Sequence, residues 1–504
     1  LRCVCVCKEI LFVTTKYIYI SLHKLMNLKN FLRLLKKMTV GGNGTSLDYR
    51  NKVIMAPMVR VGTLPMRLMA LEFGADIVYT EELIDLKLMR SKRRVNAALG
   101  TIDFVDRSDG TIVFRTCAKE KQQLVLQLGT SDAERALSVG KLVENDIAGL
   151  DINMGCPKEF SIKGGMGVAL LAQPDKAEHI LATLCKNLSI PVTCKIRILP
   201  DLNDTIKLVQ RFATTGIAAI AIHARTRDER PQHAPHPDFI REVAKAVNIP
   251  VIANGGSKEF QNYKDLIRFR DLCGATSVMV GRAAQLNVSI FRKEGMLPMD
   301  DIIIKYLKLS VDYDNAAHNT KYCVQNILKE LQESPRGKQF LQCQTLQQMC
   351  EIWSLGDYCY RKQLEQKERG NFGRREVAPG MIPDDDTSEG PEIKRQKMDI
   401  PPLEADVVQH NIAFLRSNYN SDTQLPKTKL YTYAGRNNIS IAQYETQRID
   451  KLFRAICTFN GKRYTSSFWE KNKKQAEQGA ALVCLLDIGE VTEDDLIKNG
   501  SILR

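Results

Sequence analysis

The residue best suited to chemistry in this sequence is the cysteine of the segment Asn153-Met154-Gly155-Cys156-Pro157. Because Gly155 and Pro157 flank it, the backbone has left the preceding apolar run, and we expect the thiol of Cys156 to face a cavity. An ordinary cysteine has a pKa of about 8.5, so its thiol is protonated near neutral pH and can act as a general acid. A buried apolar filler is the alternative. No His/Cys/Asp grouping shares the loop, which argues against a metal site, and a thiolate nucleophile would lack an adjacent base.

Glycines follow two short apolar runs that end near residues 254 and 280. The first segment is Asn254-Gly255-Gly256, and the second is Gly281-Arg282, which adds a positive charge. Glycine lets backbone N–H groups approach an anion closely, so two such loops predict a phosphate site, although a lone Gly-Gly pair usually marks only a turn. Gln127, Lys195 and His223 would line the space between that phosphate and the first run. A ring held there fits a flavin, whose reduced anion a lysine near the N1–C2 edge would stabilise.

Eight short, β-rich apolar runs position these residues, and amphipathic stretches alternate with them. This alternation predicts a parallel sheet, and eight units in about 240 residues match a (β/α)8 TIM barrel, with ligand groups at the carboxyl ends of the strands. A doubly wound open sheet is the alternative, but Ala56-Pro57-Met58 after the first run is not the expected GxGxxG. Residues 107–116 predict an extra hairpin. The runs are 53–58, 77–81, 124–128, 149–154, 192–198, 218–224, 251–254 and 277–280.

The patterns divide the chain into six segments. Helical spacing replaces the β-rich runs after the barrel, and a stretch rich in Pro, Gly and acids then predicts a linker. The following region has the order α-β-β-β-α, with Asn460-Gly461 as a hairpin turn. The chain starts with Leu1, and its basic first segment fits an annotation artefact or a targeting sequence. The segments are the extension 1–46, the barrel 47–300, a helical domain 301–365, the linker 366–402, the α-β-β-β-α domain 403–490 and a tail 491–504.

The formal net charge of +14 is concentrated in two places: residues 1–38 carry +7 and residues 427–474 carry +8, so the remainder nets −1. Such clustering indicates contact with a polyanion, and solvated lysines are the alternative. The apolar fraction of 44% excludes a wholly disordered or fibrous chain. No apolar run reaches the roughly 18 residues of a membrane span. The 14 cysteines, without CxxC spacing, favour a reducing compartment over disulfides or zinc.

Five segments, in this order, resemble the tRNA-dihydrouridine synthases, and the likeness covers about residues 48–365. It implies a TIM barrel that binds FMN and uses NADPH to reduce it. The reduced flavin then delivers a hydride from N5 to C6 of a uracil ring in tRNA, while a cysteine protonates C5. The segments are Val53-Ile54-Met55-Ala56-Pro57-Met58-Val59, Asp151-Ile152-Asn153-Met154-Gly155-Cys156-Pro157, Cys194-Lys195-Ile196-Arg197, His223-Ala224-Arg225-Thr226-Arg227 and Ile252-Ala253-Asn254-Gly255-Gly256.

The resemblance also implies roles for single residues. Cys156 would be the proton donor. Asn153 would hold the uracil, with Arg225 or Arg227, and Glu82 would lie near both FMN and substrate. The FMN-binding set would be Pro57, Met58, Gln127, Lys195, His223, Asn254, Gly255, Gly256, Gly281 and Arg282.

The region 403–490 resembles the double-stranded-RNA-binding fold, whose members read the shape and phosphates of RNA. Lys471, Lys473 and Lys474 would face phosphates, and the flanking Lys427 and Lys429 would add to them. The loop Arg448-Ile449-Asp450-Lys451 departs from the family's Gly-Pro-x-His-type loop, which puts a minor-groove contact in doubt. We therefore expect tRNA as the partner, a monomer, no membrane span and a cytoplasmic location, with nuclear or mitochondrial fractions left open.

Two other functions remain open from the sequence. An FMN barrel acting on free pyrimidines would use the same cysteine chemistry but would leave the basic C-terminal region idle. A non-catalytic RNA-binding regulator is the second alternative, and the intact Cys156, Lys195 and glycine loops count against it.

Overall fold

The computed structural model describes residues 47–107, 110–371, 403–419, 421–449 and 452–502. Three sequence-based expectations fall wholly or partly outside these residues. They concern the basic extension 1–46, the linker from residue 372 to residue 402, and Asp450 and Lys451 of the atypical loop.

Eight parallel strands close into a barrel, which confirms the predicted (β/α)8 fold and removes the doubly wound sheet as an alternative. The first strand pairs with both the second and the eighth. The strands are almost continuously apolar because helices cover their outer face and side chains fill the interior. Their bounds are Val53–Met55, Ile77–Ile84, Leu124–Gly129, Gly149–Met154, Val192–Arg197, Ala219–His223, Val251–Asn254 and Ser277–Val280.

The helices around the barrel begin where side chains can satisfy the first free N–H groups. Asp132, Asp201 and Asn262 each accept a hydrogen bond from a backbone N–H of the following turn. No helix in the described residues is long and apolar enough to cross a bilayer. The helices are Leu64–Glu72, Asp85–Met89, Ala133–Val143, Glu159–Lys163, Pro174–Asn187, Leu202–Thr214, Pro237–Ala246, Tyr263–Leu272 and Arg282–Leu286, with 3-10 turns at Gly167–Ala172 and Val288–Phe291.

A three-stranded antiparallel sheet lies between the second and third barrel strands, where the sequence predicted only a hairpin over 107–116. Its strands are Ser91–Asn96, Thr101–Asp106 and Ile112–Thr116. The prediction was wrong at Ser91–Asn96, because its run of Lys and Arg carries little apolar signal. Arg115 joins this sheet to the next domain: it pairs with Asp103 and donates hydrogen bonds to the carbonyls of Tyr313 and Asp314.

A helical domain follows the barrel, as its apolar spacing predicted. Its last helix ends at Glu368, so the first residues of the expected linker are helical. Gln366 is buried there and donates a hydrogen bond to the carbonyl of Val311, which ties this last helix to the first one. The helices are Met299–Asp312, Ala317–Leu328, Pro335–Gln342, Leu346–Ile352 and Gly356–Glu368, with a 3-10 turn at Lys329–Glu333.

The C-terminal domain contains the predicted α-β-β-β-α order and two further elements. The strand Val407–His410 adds in parallel to Lys462–Ser466, and the helix Glu493–Lys498 lies in the expected tail. Leu496 of that helix is fully buried, so the tail is part of the folded domain. The remaining elements are the helices Pro426–Arg436 and Lys473–Asp487, the strands Gln443–Ile449, Leu452–Phe459 and Lys462–Ser466, and 3-10 turns at Arg416–Asn418 and Asp422–Gln424.

Candidate active site

A cavity of about 200 Å³ opens at the carboxyl ends of the barrel strands. The strand registers explain why distant residues meet there: Asn153 lies beside Lys195, and His223 lies beside Asn254. Eight of the ten residues expected to bind the cofactor line this cavity, and they are Pro57, Met58, Lys195, His223, Asn254, Gly255, Gly281 and Arg282.

The other two expected cofactor residues have different surroundings. Gly256 lies beneath the cavity, where an added Cβ would come within 2.8 Å of the rings of Phe260 and Phe269. Only a glycine therefore allows the loop to pack closely at this position. Gln127 belongs to a hydrogen-bond chain deeper in the barrel.

The small cavity is lined by cations and by an unsatisfied imidazole. Burial and the nearby Arg197 lower the pKa of Lys195 to about 8. Burial, together with the positive charges around it, holds the pKa of His223 well below its usual value, so the ring is neutral at pH 7. Its Nδ1 atom is buried and has no hydrogen-bond partner. The cavity therefore offers positive charge and an unused polar group to a ligand.

A chain of buried amides connects the barrel interior to the cysteine loop. The Gln127 side chain donates to the carboxyl of Asp151 at 2.8 Å and accepts from Asn153 at 3.2 Å. Asp151 also accepts a hydrogen bond from Thr193, and burial raises its pKa to about 6. The Oδ1 atom of Asn153 then accepts the backbone N–H groups of Gly155 and Cys156, each at 3.0 Å. Asn153 thus shapes the loop that carries the thiol.

Two further contacts hold this loop from its other sides. Arg197 donates to the carbonyl of Gly155 at 2.9 Å, and the backbone N–H of Val168 donates to the carbonyl of Cys156 at 3.1 Å. Gly167, with φ of +59°, leaves no room for a side chain, because an added Cβ would lie 2.5 Å from that carbonyl oxygen. The Cys156 side chain is therefore partly exposed on a loop whose backbone is fixed.

A second, larger cavity of about 610 Å³ adjoins the mouth of the barrel. Glu82, at the end of the second strand, lines it, and Cys156 and Ser161 lie close to the same carboxyl. Basic groups from three regions also line this cavity: Arg60 and Lys87 near the barrel, His318 of the helical domain and Lys471 of the C-terminal domain.

The lysines expected to face RNA differ in their surroundings. Lys429, Lys473 and Lys474 are exposed. Lys427 is half-buried: its ammonium lies 2.5 Å from a carboxylate oxygen of Glu477 and 4.3 Å from the centre of the Tyr444 ring. Its charge is therefore partly offset within the domain, and its contact with phosphates stays a prediction.

Comparison with known proteins agrees with this architecture. The family model described as "Dihydrouridine synthase (Dus)" matches residues 54–366, which is more than half of the chain. The chain belongs to the dihydrouridine synthase family. Residues 426–488 match a second model, the "Double-stranded RNA binding motif".

The similar curated proteins include two from yeasts. A Schizosaccharomyces pombe protein named tRNA-dihydrouridine(20) synthase [NAD(P)+] is 39% identical over 56% of this chain and 60% of its own length. A Saccharomyces cerevisiae protein of the same name is 37% identical over 56% of this chain and 78% of its own length. This chain is also similar to a crystal structure of a tRNA-dihydrouridine(20) synthase dsRBD domain, with 36% identity over 16% of this chain and 89% of that domain and a TM-score of 0.16.

One expected substrate contact in this member of the dihydrouridine synthase family is placed differently by the structure. Arg225 is only 2% exposed, does not line the small cavity, and donates hydrogen bonds to the carbonyls of Gly255 and His233. It therefore supports the glycine loop from below, whereas Arg227 is exposed at the surface. Since both Arg225 bonds join separate loops, the motif alone could not reveal them.

The sequence also left the structural roles of two residues unassigned. Arg197 clamps the cysteine loop to the carbonyl of Thr226, and Asp151 anchors the amide chain. The position of Asp151 within an otherwise apolar strand could have indicated that its carboxyl is buried and hydrogen-bonded. Within the described residues, no group of three or more His, Cys, Asp or Glu side chains could hold a metal ion.

Proposed function

We propose that the protein is a tRNA-dihydrouridine synthase that reduces the C5=C6 bond of a uridine in the D-loop of tRNA, at position 20. The observation that carries this proposal is the Cys156 loop: Asn153 and Arg197 fix its backbone at the same end of the barrel where Lys195 lines a cavity. Position 20 is supported by the names of the two yeast relatives.

The residues of the small cavity fit FMN. The buried, unpartnered Nδ1 of His223 needs a polar partner, and Lys195 and Arg282 supply positive charge for an anion. Gly255, with φ of +129°, and Gly281 expose backbone to the cavity without a side chain. When bound, FMN would supply the hydride that adds to C6, after its reduction by NADPH. The relatives' names include NAD(P)+, which supports a nicotinamide reductant.

In this proposal the cysteine loop performs the proton transfer. The S–H bond of Cys156 breaks as its proton adds to C5 of the uracil. Asn153 and Arg197 fix the loop backbone, so the thiol is preorganised in one position before the substrate binds. Lys195 would stabilise negative charge on the ring beside it.

RNA binding is needed because a uridine in folded tRNA must leave its stack to reach a barrel mouth, which costs on the order of a few kcal/mol. Contacts with the RNA backbone elsewhere must offset this loss. The exposed Lys429, Lys473 and Lys474 of the C-terminal domain are suited to phosphates. We propose that the protein acts as a monomer in the cytoplasm.

Reduction of free pyrimidines is the second candidate, and the double-stranded RNA binding motif at 426–488 favours tRNA over it. The purified full chain should contain flavin and form dihydrouridine in unmodified tRNA when NADPH is present. A colourless protein that cannot be reconstituted with FMN, or activity on free uridine but none on tRNA, would overturn the proposal.

The variant Cys156→Ala should retain flavin and tRNA binding and yet form no dihydrouridine. Cys185→Ala is the matched control, because Cys185 is also partly buried but lies on the outer helix Pro174–Asn187. Normal turnover by Cys156→Ala would contradict the assigned proton donor. Dihydrouridine mapping in tRNA from cells lacking the protein then tests position 20.

A further inference from the structure

Arg60 has a backbone conformation that residues with side chains rarely adopt, with φ of +66°. It lies in a tight turn after the first barrel strand, where the N–H of Gly62 donates to the carbonyl of Met58 at 2.9 Å. Both polar backbone groups of Arg60 are bonded: its N–H donates to the Glu81 carboxylate at 2.8 Å, and its carbonyl accepts the S–H of Cys323 at 3.5 Å. Left-handed residues other than glycine cost stability and cluster at ligand-binding sites, so the Arg60 side chain is a candidate for function.

The Arg60 side chain is exposed and lines the larger cavity. Its guanidinium lies over the ring of Tyr322, 5.5 Å from the ring centre, and within the described residues it makes no ion pair or hydrogen bond. A guanidinium stacked on an aromatic face keeps the N–H groups at its edge available. Lys87 lines the same cavity and likewise has no ion-pair partner in the part of the chain that the structure describes. Two positive charges are therefore available to an anion.

Three acidic residues also line the larger cavity, but their negative charge is weakened or already used. The Glu81 carboxylate accepts the backbone N–H of Arg60. Burial raises the pKa of Glu82 and that of Asp314, which favours their neutral forms. These acids therefore oppose an anion beside Arg60 less than three exposed carboxylates would.

The position of the turn favours RNA as the source of this anion. Met58, at the start of the turn, lines the small cavity, whereas Arg60 lines the larger one. The larger cavity, of about 610 Å³, lies within the usual size range of ligand sites, roughly 300–1,000 Å³. A uridine extruded toward the small cavity carries its flanking phosphates to the barrel mouth. Lys471 of the C-terminal domain also lines the larger cavity, so RNA in this cavity contacts both domains.

We propose that the larger cavity is a second RNA-binding site, in which the guanidinium of Arg60, fixed by its left-handed turn, donates to a phosphate next to the extruded uridine. Arginine suits this role because its planar fork forms two parallel hydrogen bonds to phosphate oxygens. The inference rests on the function proposed above. NADPH carries the same phosphate chemistry, so the experiments separate the two ligands.

The first experiment measures binding of fluorescently labelled, unmodified tRNA to the holoenzyme at several salt concentrations, without reductant. Arg60→Gln and Arg60→Gly should each bind roughly tenfold more weakly, and the salt dependence of binding should fall by about one unit of slope. Glycine adopts this φ without strain, so a loss in Arg60→Gly comes from the missing side chain and not from a distorted turn. Wild-type affinity in either folded variant would overturn the proposal.

Lys329→Gly is the matched control. Lys329 is also a cation with positive φ, at +51°, and it is exposed, but it lines neither cavity. The control removes the same charge from the same kind of backbone conformation and should bind tRNA as wild type does. An equal loss of affinity in Lys329→Gly and Arg60→Gly would mean that overall charge sets the affinity, which would also overturn the proposal.

The second experiment follows reduction of the bound flavin by NADPH in the absence of tRNA, from the loss of flavin absorbance. Arg60→Gln should be reduced at the wild-type rate, because Arg60 does not line the small cavity. In dihydrouridine formation, KM for tRNA should rise more than the rate at saturating tRNA falls. Slower flavin reduction with unchanged tRNA binding would assign Arg60 to NADPH and refute the inference. If wild type binds tRNA but forms no dihydrouridine, the proposed function fails, and the binding measurements still decide the role of Arg60.

Discussion

Gly167→Ala should damage the reaction by displacing the cysteine loop from outside the cavity. Gly167 has φ of +59°, and an added Cβ would lie 2.5 Å from the Cys156 carbonyl oxygen and 3.1 Å from its Cβ. Real Cβ contacts essentially never fall below 3.0 Å, so the Cys156 backbone must yield by about half an ångström. That carbonyl also accepts the hydrogen bond from Val168, which would weaken with the shift.

The expected magnitude has two separable parts. A non-glycine residue in the left-handed region costs roughly 1–2 kcal/mol of stability. Displacement of the thiol is additional: a misplacement of about 1 Å can cost roughly a hundredfold in rate, so about half of that shift predicts a loss on the order of tenfold. Flavin content should not change, because Gly167 does not line the small cavity.

Gly165→Ala separates these two parts. Gly165 has φ of +69°, but an added Cβ would meet only Ser131, at an ordinary 3.4 Å. Both variants should therefore lose similar stability by thermal unfolding, whereas only Gly167→Ala should lose rate in single-turnover dihydrouridine formation. Equal rates in the two folded variants would refute the claim that close packing at Gly167 sets the position of the Cys156 thiol.

Two further predictions concern the barrel interior and the C-terminal domain. Burial raises the pKa of Asp151 to about 6 in the folded state, whereas the unfolded value is about 3.9, so the stability that the protonated carboxyl contributes is lost as pH rises from about 4 to 6. Asp151→Asn should therefore reduce the fall of the melting temperature with pH over that range. The same fall of melting temperature in wild type and variant would contradict this. The double variant of Lys473 and Lys474 to Glu should weaken tRNA binding and reduce its salt dependence. Lys427→Ala should do less, because the Lys427 ammonium lies 2.5 Å from Glu477, whereas that of Lys473 lies 3.9 Å away; equal losses in titrations at several salt concentrations would argue otherwise.

The barrel was predictable from the sequence because its signals are local. Each strand is a short apolar run that ends in polar or glycine residues. In each following helix, apolar residues recur every three to four positions. The carboxyl ends of parallel strands meet on one side of a barrel. Lys195, His223 and the segment Asn254-Gly255-Gly256 could therefore be assigned to one end of the fold before their contacts were known.

Local sequence patterns failed for elements that have a weak sequence signal and are stabilised by contacts with residues elsewhere in the chain. The strand Ser91–Asn96 is rich in Lys and Arg, and its pairing with Thr101–Asp106 and the bond from Arg93 to Asp146 hold it in place. The short, acidic helix Glu493–Lys498 looked like a tail because one buried leucine, Leu496, is a small signal in a charged segment.

The sequence was enough to indicate which residues gather at the barrel mouth, since residue type and position along a strand are local properties. It could not indicate what each charge does there. Arg225 was expected to contact substrate and is buried beneath a glycine loop; Lys427 was expected to contact RNA and is paired with Glu477. Glu82 was expected near the substrate and lies unpartnered beside the Cys156 thiol. The use of a charged side chain depends on burial and on partners far along the chain, and these exist only after the strands and loops have packed.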